Sequence, residues 1–99
     1  MIAGGAAPSR LHRQLGIANK IAAPADLMRV ALEMAERVAL GAPVALEKAK
    51  EAMLLTTGLP LLEAFEIETS LTAIVSATQD AREGPRAFMQ KRRPEFQGC

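Results

Sequence analysis

The sequence predicts an all-α protein, a small bundle of three amphipathic helices followed by a short C-terminal helix. Apolar residues recur at helical spacing in three stretches, Gly or Pro stands near the end of each stretch, and the aromatic residues are three Phe with no Trp or Tyr. Apolar positions that repeat every three or four residues form one face of a helix, and Gly and Pro mark where helices stop. We therefore predict a helical domain over residues 25–99, after an irregular lead-in over residues 1–24.

The lead-in is predicted to contain one short helix and one strand-like segment. Met1 to Pro8 is small, apolar and Gly-rich without periodicity, which predicts a flexible start. Ser9 can accept the free backbone N–H groups at the start of a helix that runs through Gln14. Gly16 suits the positive φ that commonly follows a helix end. The strand-like segment, Gly16 to Ile21, is implied by the family resemblance described below.

Helix one is predicted from about Ala25 to Leu40 and helix two from Pro43 to about Thr56. Helix one has a single apolar stripe with charged residues opposite, and Gly41 ends it. Helix two carries small residues that let helices approach closely. Its predicted interior positions are Ala45, Ala49, Ala52 and Met53.

Helix three, from Pro60 or Leu61 to about Ser76, is apolar on more than one side. One stripe holds Leu62 and Phe65, and another holds Ala64, Ile67, Leu71 and Ile74. A helix with this pattern is usually buried on more than one side. In a chain this short, we expect another subunit or domain to cover the second side.

The start of the last helix carries capping residues. Thr78 or Asp80 can accept the first backbone N–H groups, and Glu83 stands in the capping-box position relative to Asp80. Gly84 and Pro85 then interrupt the run. Because the φ of Pro85 is already helical and it has no N–H to donate, we predict that a second, separate helix begins there.

This second piece is predicted to run from Pro85 to Lys91 and to end before Pro94. Three cations follow one another at its end, Lys91, Arg92 and Arg93. The carbonyl end of a helix carries partial negative charge, so cations there stabilise it.

Three separate motifs carry a resemblance to a known family. Residues 78–96 read T-x-D-A-R-E-G-x-R-A-F-x-x-K-R-x-P-x-F, residues 16–21 read G-I-A-N-K-I, and residues 42–50 fit A-P-x-A-x-x-x-x-K. In this order and at this spacing, they resemble the C-terminal end of the enoyl-CoA hydratase/isomerase (crotonase) family. The fold is therefore expected to resemble the C-terminal helical domain of the crotonase fold.

The resemblance implies a part of an enzyme that acts on coenzyme A thioesters in reactions of the fatty acid β-oxidation type. The family binds the thioester oxygen with two backbone N–H groups of a repeated ββα core, and its catalytic carboxylates lie upstream of the segment matched here. No stretch of this sequence supplies that core. We therefore expect no catalytic residue and no metal in this chain, with acyl-CoA bound only by the complete enzyme.

The resemblance also places two candidate cofactor-binding residues. The family's C-terminal aromatic and lysine that contact coenzyme A fall on Phe88 and Lys91, and a lysine suits a ribose phosphate as a point charge. An aromatic often found on the third helix falls near Thr72, which has no ring. The alternative interpretation is that Phe88 belongs to the core and that Lys91 only caps a helix.

Two functions from different classes stay open at this point. The first is the C-terminal part of a crotonase-type enzyme, which supplies oligomer contacts and part of the coenzyme A surface. Its partners would be further copies, since the family forms trimers or hexamers, or the missing core. The second is a stand-alone helical interaction or oligomerisation module derived from that family.

Charge and composition argue against other classes of function. With 12 basic and 11 acidic residues, the net charge of +1 gives no general attraction for nucleic acid. No apolar run approaches the roughly 18 residues that a membrane span needs. The single cysteine, Cys99, cannot form an internal disulfide. We expect a cytoplasmic protein, or a mitochondrial one whose transit peptide has been removed, with neither a nucleic acid nor a membrane as partner.

Two further sets of polar residues are interpreted as surface. His12 is the only histidine and has no second ligand at metal-binding spacing, which favours an exposed helix position. Glu63, Glu66 and Glu68 form an acidic helix side, and carboxylates act as general acids or bases only in a setting that perturbs their pKa values. We assign a catalytic role to none of them.

Overall fold

A computed structural model describes residues 2–3 and 6–99 of the chain. Five α-helices and one 3-10 turn dominate these residues, and the only strands there have two residues each. The bounds are β1 Ile2–Ala3, α1 Ala6–Gln14, β2 Ile21–Ala22, α2 Leu27–Ala39, α3 Pro43–Thr56, α4 Leu61–Ser76 and α5 Asp80–Met89. The predicted all-α class is confirmed. Backbone contacts divide the chain into two units, Met1–Val38 and Ala39–Cys99. The domain boundary between residues 24 and 25 stays a prediction.

The N-terminal unit contains a parallel pair of short strands. Ile2 lies opposite Ile21 and Ala3 opposite Ala22, with α1 between the two strands in the sequence. A parallel pair needs such a crossover, because the chain must return to the same end of the sheet. The predicted flexible start is therefore wrong for residues 2–3 and 6–8, while Met1, Gly4 and Gly5 lie outside the described residues. Strands this short show no period that sequence reading could detect.

The end of α1 explains why the second strand is shorter than predicted. Gly16 has φ +76°, and the backbone N–H groups of Ile17 and Ala18 donate to the carbonyl of His12 at 2.8 and 3.2 Å. These bonds close the helix end. Residues 16–20 thus form a turn, and of the predicted strand-like segment only Ile21 belongs to β2. The helix also begins before Ser9, which is buried within it rather than at its start.

A 3-10 turn, Pro24–Asp26, leads into α2, so the first predicted helix is present with slightly shorter bounds. Pro24 stands at the first position of this turn, where its missing N–H has no cost. Within α2, Val30 is buried, and the guanidinium of Arg29 bridges the carboxylates of Asp26 and Glu33 at 3.3 and 2.7 Å. All three charged side chains are about half exposed, so this network contributes little to stability.

In the C-terminal unit, α3 and α4 have the bounds predicted from periodicity and pack against each other. Gly58, at φ +83°, lies in the short connection between them. Leu71 of α4 is buried, whereas Met53 of α3 is 65% exposed, so its predicted interior position is wrong. The alanines of α3 line the groove that faces α4, as their small size allows.

The second apolar side of α4 is uncovered within the chain. Leu62 is 78% exposed, and Leu61 and Phe65 are also exposed. Only Leu71 of this helix is buried. The sequence predicted apolar residues on more than one side of this helix, and the structure leaves one of these sides in solvent.

The last helix is one continuous element, α5, with Pro85 inside it, so the predicted break at Gly84 and Pro85 is wrong. A proline ring clashes mainly with the Cβ of the preceding residue in helical geometry. Gly84 has no Cβ, which removes that clash. Pro85 lies early in the helix, where the only hydrogen bond it forfeits is the one to the carbonyl of Ala81.

Candidate functional site

The C-terminal end of α5 has an unusual backbone at one of the two candidate residues. Lys91 has φ +54°, the only positive φ of a residue other than Gly among the residues that the structure describes. Its backbone N–H donates to the carbonyl of Phe88 at 3.1 Å, and the N–H of Arg92 donates to the carbonyl of Ala87 at 3.1 Å. This pair of bonds is the Schellman motif, in which Gly usually occupies the left-handed position. A lysine occupies it here.

Phe88 and Lys91 both lie on the surface. The Phe88 ring is 85% exposed, so it does not belong to the apolar core of this chain, whereas its neighbour Ala87 is fully buried. None of the ion pairs among the described residues includes Lys91. The structure thus presents an exposed ring and an unpaired ammonium three residues apart, at the end of one helix. Their role in binding coenzyme A stays a prediction.

Arg92, the next residue, is held by Glu83 rather than by the carbonyl end of the helix. Its guanidinium donates from two nitrogens to the two carboxylate oxygens of Glu83, the Nη2 to Oε2 distance being 2.9 Å. The backbone N–H of Glu95 donates to the same carboxylate at 3.0 Å. Besides lying at the carbonyl end of the helix as predicted, Arg92 therefore holds a specific carboxylate partner nine residues earlier.

The same contacts lower the pKa of Glu83. Its pKa falls from the usual 4.5 to about 2, chiefly because the Arg92 guanidinium donates to the charged carboxylate, and secondly because the Glu95 N–H does so. The nearby positive charges of Arg92 and Arg86 add to this, while partial burial opposes it. Glu83 is therefore ionised at every pH near neutrality and acts as a fixed anchor.

A second carboxylate, that of Asp80, holds the end of the chain. Asp80 is buried, and its two oxygens accept the backbone N–H groups of Gln97 and Gly98 at 2.7 and 2.8 Å. Its own N–H donates to the carbonyl of Cys99 at 3.1 Å. The helix cap is instead Thr78, whose hydroxyl accepts the N–H of Ala81 at 3.1 Å. Of the two predicted caps, Thr78 is confirmed and Asp80 has a different, long-range partner.

These anchors fold residues 94–99, here called the tail, back along α5. A cavity of about 350 Å³ lies between helix and tail, lined by Gln79, Asp80, Arg82, Glu83, Arg86, Glu95 and Gln97. Glu83 and Asp80 already hold the tail, whereas Arg82 and Arg86 enter none of the ion pairs among the described residues. Phe96 packs behind the helix, since a Cβ on Gly84 would lie 3.9 Å from its ring.

A second, smaller cavity of about 210 Å³ lies between α3 and α4. Its lining comprises Ala45, Lys48, Ala49, Ala52, Glu68, Leu71, Thr72 and Val75. Lys48 is largely covered, and its ammonium binds the carboxylates of Glu51 and Glu47 at 2.7 and 3.2 Å. Thr72 contributes no aromatic ring to this groove.

The remaining polar candidates form no reactive cluster. His12 is half-buried rather than exposed, and its Nδ1 lacks a hydrogen-bond partner. Glu63 and Glu66 are exposed, as predicted for an acidic surface. Within the part of the chain that the structure describes, no three His, Cys, Asp or Glu side chains are arranged to hold a metal ion. No helix in that part is long and apolar enough to cross a membrane.

Curated relatives share the sequence over nearly all of this chain. The putative enoyl-CoA hydratase of Thermus thermophilus is 36% identical over 97% of this chain, which corresponds to 38% of the relative. The 2,3-dehydroadipyl-CoA hydratase of Escherichia coli is 32% identical over 99% of this chain and 38% of the relative. The chain thus spans about two fifths of the length of the curated relatives that it matches.

Solved structures share the fold over the same extent. An enoyl-CoA hydratase/isomerase from Mycobacterium paratuberculosis superposes with a TM-score of 0.86 and 34% identity, over 92% of this chain and 36% of the solved one. An enoyl-CoA hydratase subunit from Geobacillus kaustophilus gives a TM-score of 0.83 and 36% identity, over 92% and 35% of the two chains. The family model described as enoyl-CoA hydratase/isomerase matches residues 4–99. The chain therefore belongs to the enoyl-CoA hydratase/isomerase family.

Proposed function

We propose that this chain is the C-terminal helical part of an enoyl-CoA hydratase/isomerase-type enzyme. In that role it supplies oligomer contacts and part of the surface that covers a coenzyme A thioester, while the catalytic groups reside in a core outside this chain. The observation that carries the proposal is the extent of the match. Nearly the whole chain aligns with relatives whose names describe hydratases, yet it covers only 38% of their length.

The surface of the C-terminal unit supports contacts with a larger body. Leu61, Leu62 and Phe65 of α4 are 70, 78 and 53% exposed, and single scattered apolar residues would not repeat along one helix in this way. Covering such side chains removes apolar surface from water, which stabilises an assembly by roughly 25 cal/mol per Å² buried. The proposed covering bodies are the missing core and further copies of the same enzyme.

The end of α5 supports the coenzyme A role. The exposed Phe88 ring offers an apolar face, and the Lys91 ammonium has no carboxylate partner that would compete with a phosphate. A lysine ammonium is a compact charge that suits a phosphate group. Coenzyme A carries a phosphate on its ribose, and the acyl thioester itself would lie in the core.

A chimera tests both parts of the proposal. The segment of the E. coli 2,3-dehydroadipyl-CoA hydratase that aligns with this chain is replaced by residues 4–99, and hydration of 2,3-dehydroadipyl-CoA is measured together with particle size. We expect an oligomeric, active chimera, in which Lys91→Ala raises KM several-fold with little change in kcat because the lysine touches only the coenzyme. Arg93→Ala is the matched control and should leave KM unchanged.

Specific outcomes would contradict each part. A folded but monomeric chimera would overturn the role in oligomer contacts. An active chimera whose KM is the same with and without Lys91 would overturn the assignment of Phe88 and Lys91 to the coenzyme surface.

The exposed apolar side of α4 also favours the second candidate, a stand-alone interaction module. This candidate expects the isolated chain to associate with itself into a defined oligomer and to have no need of a core. Sedimentation of the isolated chain separates the two candidates. A stable, defined oligomer that buries α4 without any core would favour the module, whereas polydisperse association that ends when a core is supplied favours the enzyme part.

A further inference from the structure

The left-handed backbone of Lys91 needs an explanation, because a residue with a Cβ is disfavoured there. The conformation costs a residue other than Gly roughly 1 kcal/mol relative to Gly. Helix α5 ends with the same two hydrogen bonds that a Gly would allow, so the fold itself does not require a side chain at this position. Strained residues other than Gly persist where neighbouring contacts over-determine them, and they cluster at binding sites.

The neighbouring contact that fixes this turn is the one between Arg92 and Glu83. The backbone N–H of Arg92 closes the Schellman motif on Ala87, and its side chain binds both oxygens of Glu83. The backbone and the side chain of Arg92 are therefore tied to α5 at two points, Ala87 and Glu83, which lie one helical turn apart. With Arg92 fixed on one side and Phe88 in the helix on the other, Lys91 has little freedom to leave the left-handed region.

The ion pair between Glu83 and Arg92 also occupies a carboxylate that could otherwise bind the Lys91 ammonium. Glu83 has three donors on its carboxylate, two from Arg92 and one from the backbone of Glu95. These three donors neutralise and solvate the negative charge of Glu83. Lys91 keeps an ammonium that no carboxylate neutralises within the described ion pairs.

We infer that Glu83 is a positioning residue, which acts through Arg92 to hold Lys91 in its left-handed conformation and so presents the ammonium to an anionic ligand. The ligand side of this inference rests on the proposed function, since the anion in question is the ribose phosphate of coenzyme A. The conformational side rests on the contacts of Glu83 and Arg92 alone. Glu83 itself touches no ligand.

The conformational side is tested by NMR on the full 99-residue chain. The three-bond coupling between HN and Hα of Lys91 reports φ, and amide hydrogen exchange reports the bond from Arg92 to Ala87. In Glu83→Gln we expect the coupling to move toward an average over several φ values and the Arg92 amide to exchange faster. The amides of Gln97 and Gly98, which Asp80 holds independently, should stay protected.

Two further variants make this result specific. Glu66→Gln removes an exposed carboxylate from α4 and should change neither signal. The double exchange Glu83→Arg with Arg92→Glu restores an ion pair of opposite polarity and should recover the Lys91 coupling. The inference is overturned if Glu83→Gln leaves the Lys91 coupling unchanged, or if Gln97 and Gly98 lose protection to the same degree, which would indicate general loosening.

The ligand side is tested by titration calorimetry of the chimera with the E. coli core, using coenzyme A and 3′-dephospho-coenzyme A. The unsubstituted chimera should bind coenzyme A more tightly than the dephospho form, and Glu83→Gln in the chimera should reduce this preference by roughly fivefold, as expected for the loss of a partly exposed charge contact. Glu66→Gln should keep the preference. An unchanged preference in Glu83→Gln would overturn the positioning role, whereas an unsubstituted chimera without any preference would contradict the proposed function and leave the NMR result to decide the conformational claim.

Discussion

Two parts of the C-terminal unit are held together by different forces. The helices α3 and α4 pack through small and apolar side chains along a groove, with Leu71 as the buried residue of α4. The tail is held on α5 by two carboxylates, Asp80 and Glu83, which accept backbone N–H groups and a guanidinium. Apolar packing is tolerant of small shifts, whereas hydrogen bonds to charged acceptors fix both distance and direction.

This difference matches what each part is proposed to do. A helix pair with an exposed apolar side can adapt to the body that covers it. The end of α5 has to hold one lysine in one conformation, and directional bonds are suited to that. Single substitutions that remove either the apolar packing or the hydrogen bonds should therefore affect the two parts differently.

Leu71→Ala should lower the free energy of unfolding by about 2–3 kcal/mol, because it removes buried methyl groups and enlarges an existing cavity. Leu71 is 8% exposed. Leu62→Ala on the same helix, where the side chain is 78% exposed, should cost less than about 0.5 kcal/mol. Urea denaturation followed by circular dichroism measures both. Equal losses would show that α4 is not packed as described.

Asp80→Ala should cost about 2 kcal/mol, because the buried carboxylate accepts two backbone N–H groups that would lose their partner. Hydrogen exchange at Gln97 and Gly98 should rise sharply in this variant. Asp26→Ala, which removes an exposed ion pair, is the matched control with an expected cost of about 0.3 kcal/mol. Protected amides at Gln97 and Gly98 in Asp80→Ala would contradict the anchoring role.

Lys91→Gly should raise the free energy of unfolding by about 1 kcal/mol, since Gly adopts positive φ without strain. In the chimera with the E. coli core, the same substitution should weaken the binding of coenzyme A, because the ammonium is gone. Gln90→Gly, one residue earlier and at a helical φ of −82°, should instead lose about 0.5 kcal/mol. Thermal unfolding and calorimetry on the two variants check the opposite signs. A loss of stability in Lys91→Gly would show that its side chain stabilises the fold.

The acid dependence of stability should change least. The pKa of Glu83 is lowered from 4.5 to about 2 on folding, so its contribution is fully present above pH 4.5 and is lost as the pH falls toward 2. Glu83→Gln should therefore flatten the fall in melting temperature over this range. Glu66→Gln should keep the wild-type slope. Identical slopes in Glu83→Gln and wild type would contradict the ion pair with Arg92.

The sequence predicted the α3 and α4 bounds because their signals are local. Pro43 and Pro60 start the helices, and the apolar period continues to their ends. The strand β1 could not be predicted, since two residues carry no period, and the predicted strand-like segment overlaps β2 only at Ile21. The predicted break at Pro85 is wrong, because Gly84 removes the Cβ that would clash with the proline ring.

The candidate site was predicted only in part. Phe88 and Lys91 came from a motif, and their exposure agrees with a surface role. The functions of Asp80 and Glu83 could not be predicted, because their partners lie 9 to 18 residues away and local reading assigns such acids to helix capping. A second acid at a helix start, beyond the one that capping needs, is the signal that could have pointed to a long-range partner.

The ion pair between Glu83 and Arg92 also affects how readily a protease could cleave after Lys91, Arg92 or Arg93. Trypsin needs an extended backbone and a free Lys or Arg side chain, and it does not cleave before proline. Arg92 is engaged by Glu83, the bond after Arg93 precedes Pro94, and Lys91 has a left-handed backbone. The two cleavable bonds, after Lys91 and after Arg92, are thereby shielded, and digestion at this point has to wait until the helix end unfolds.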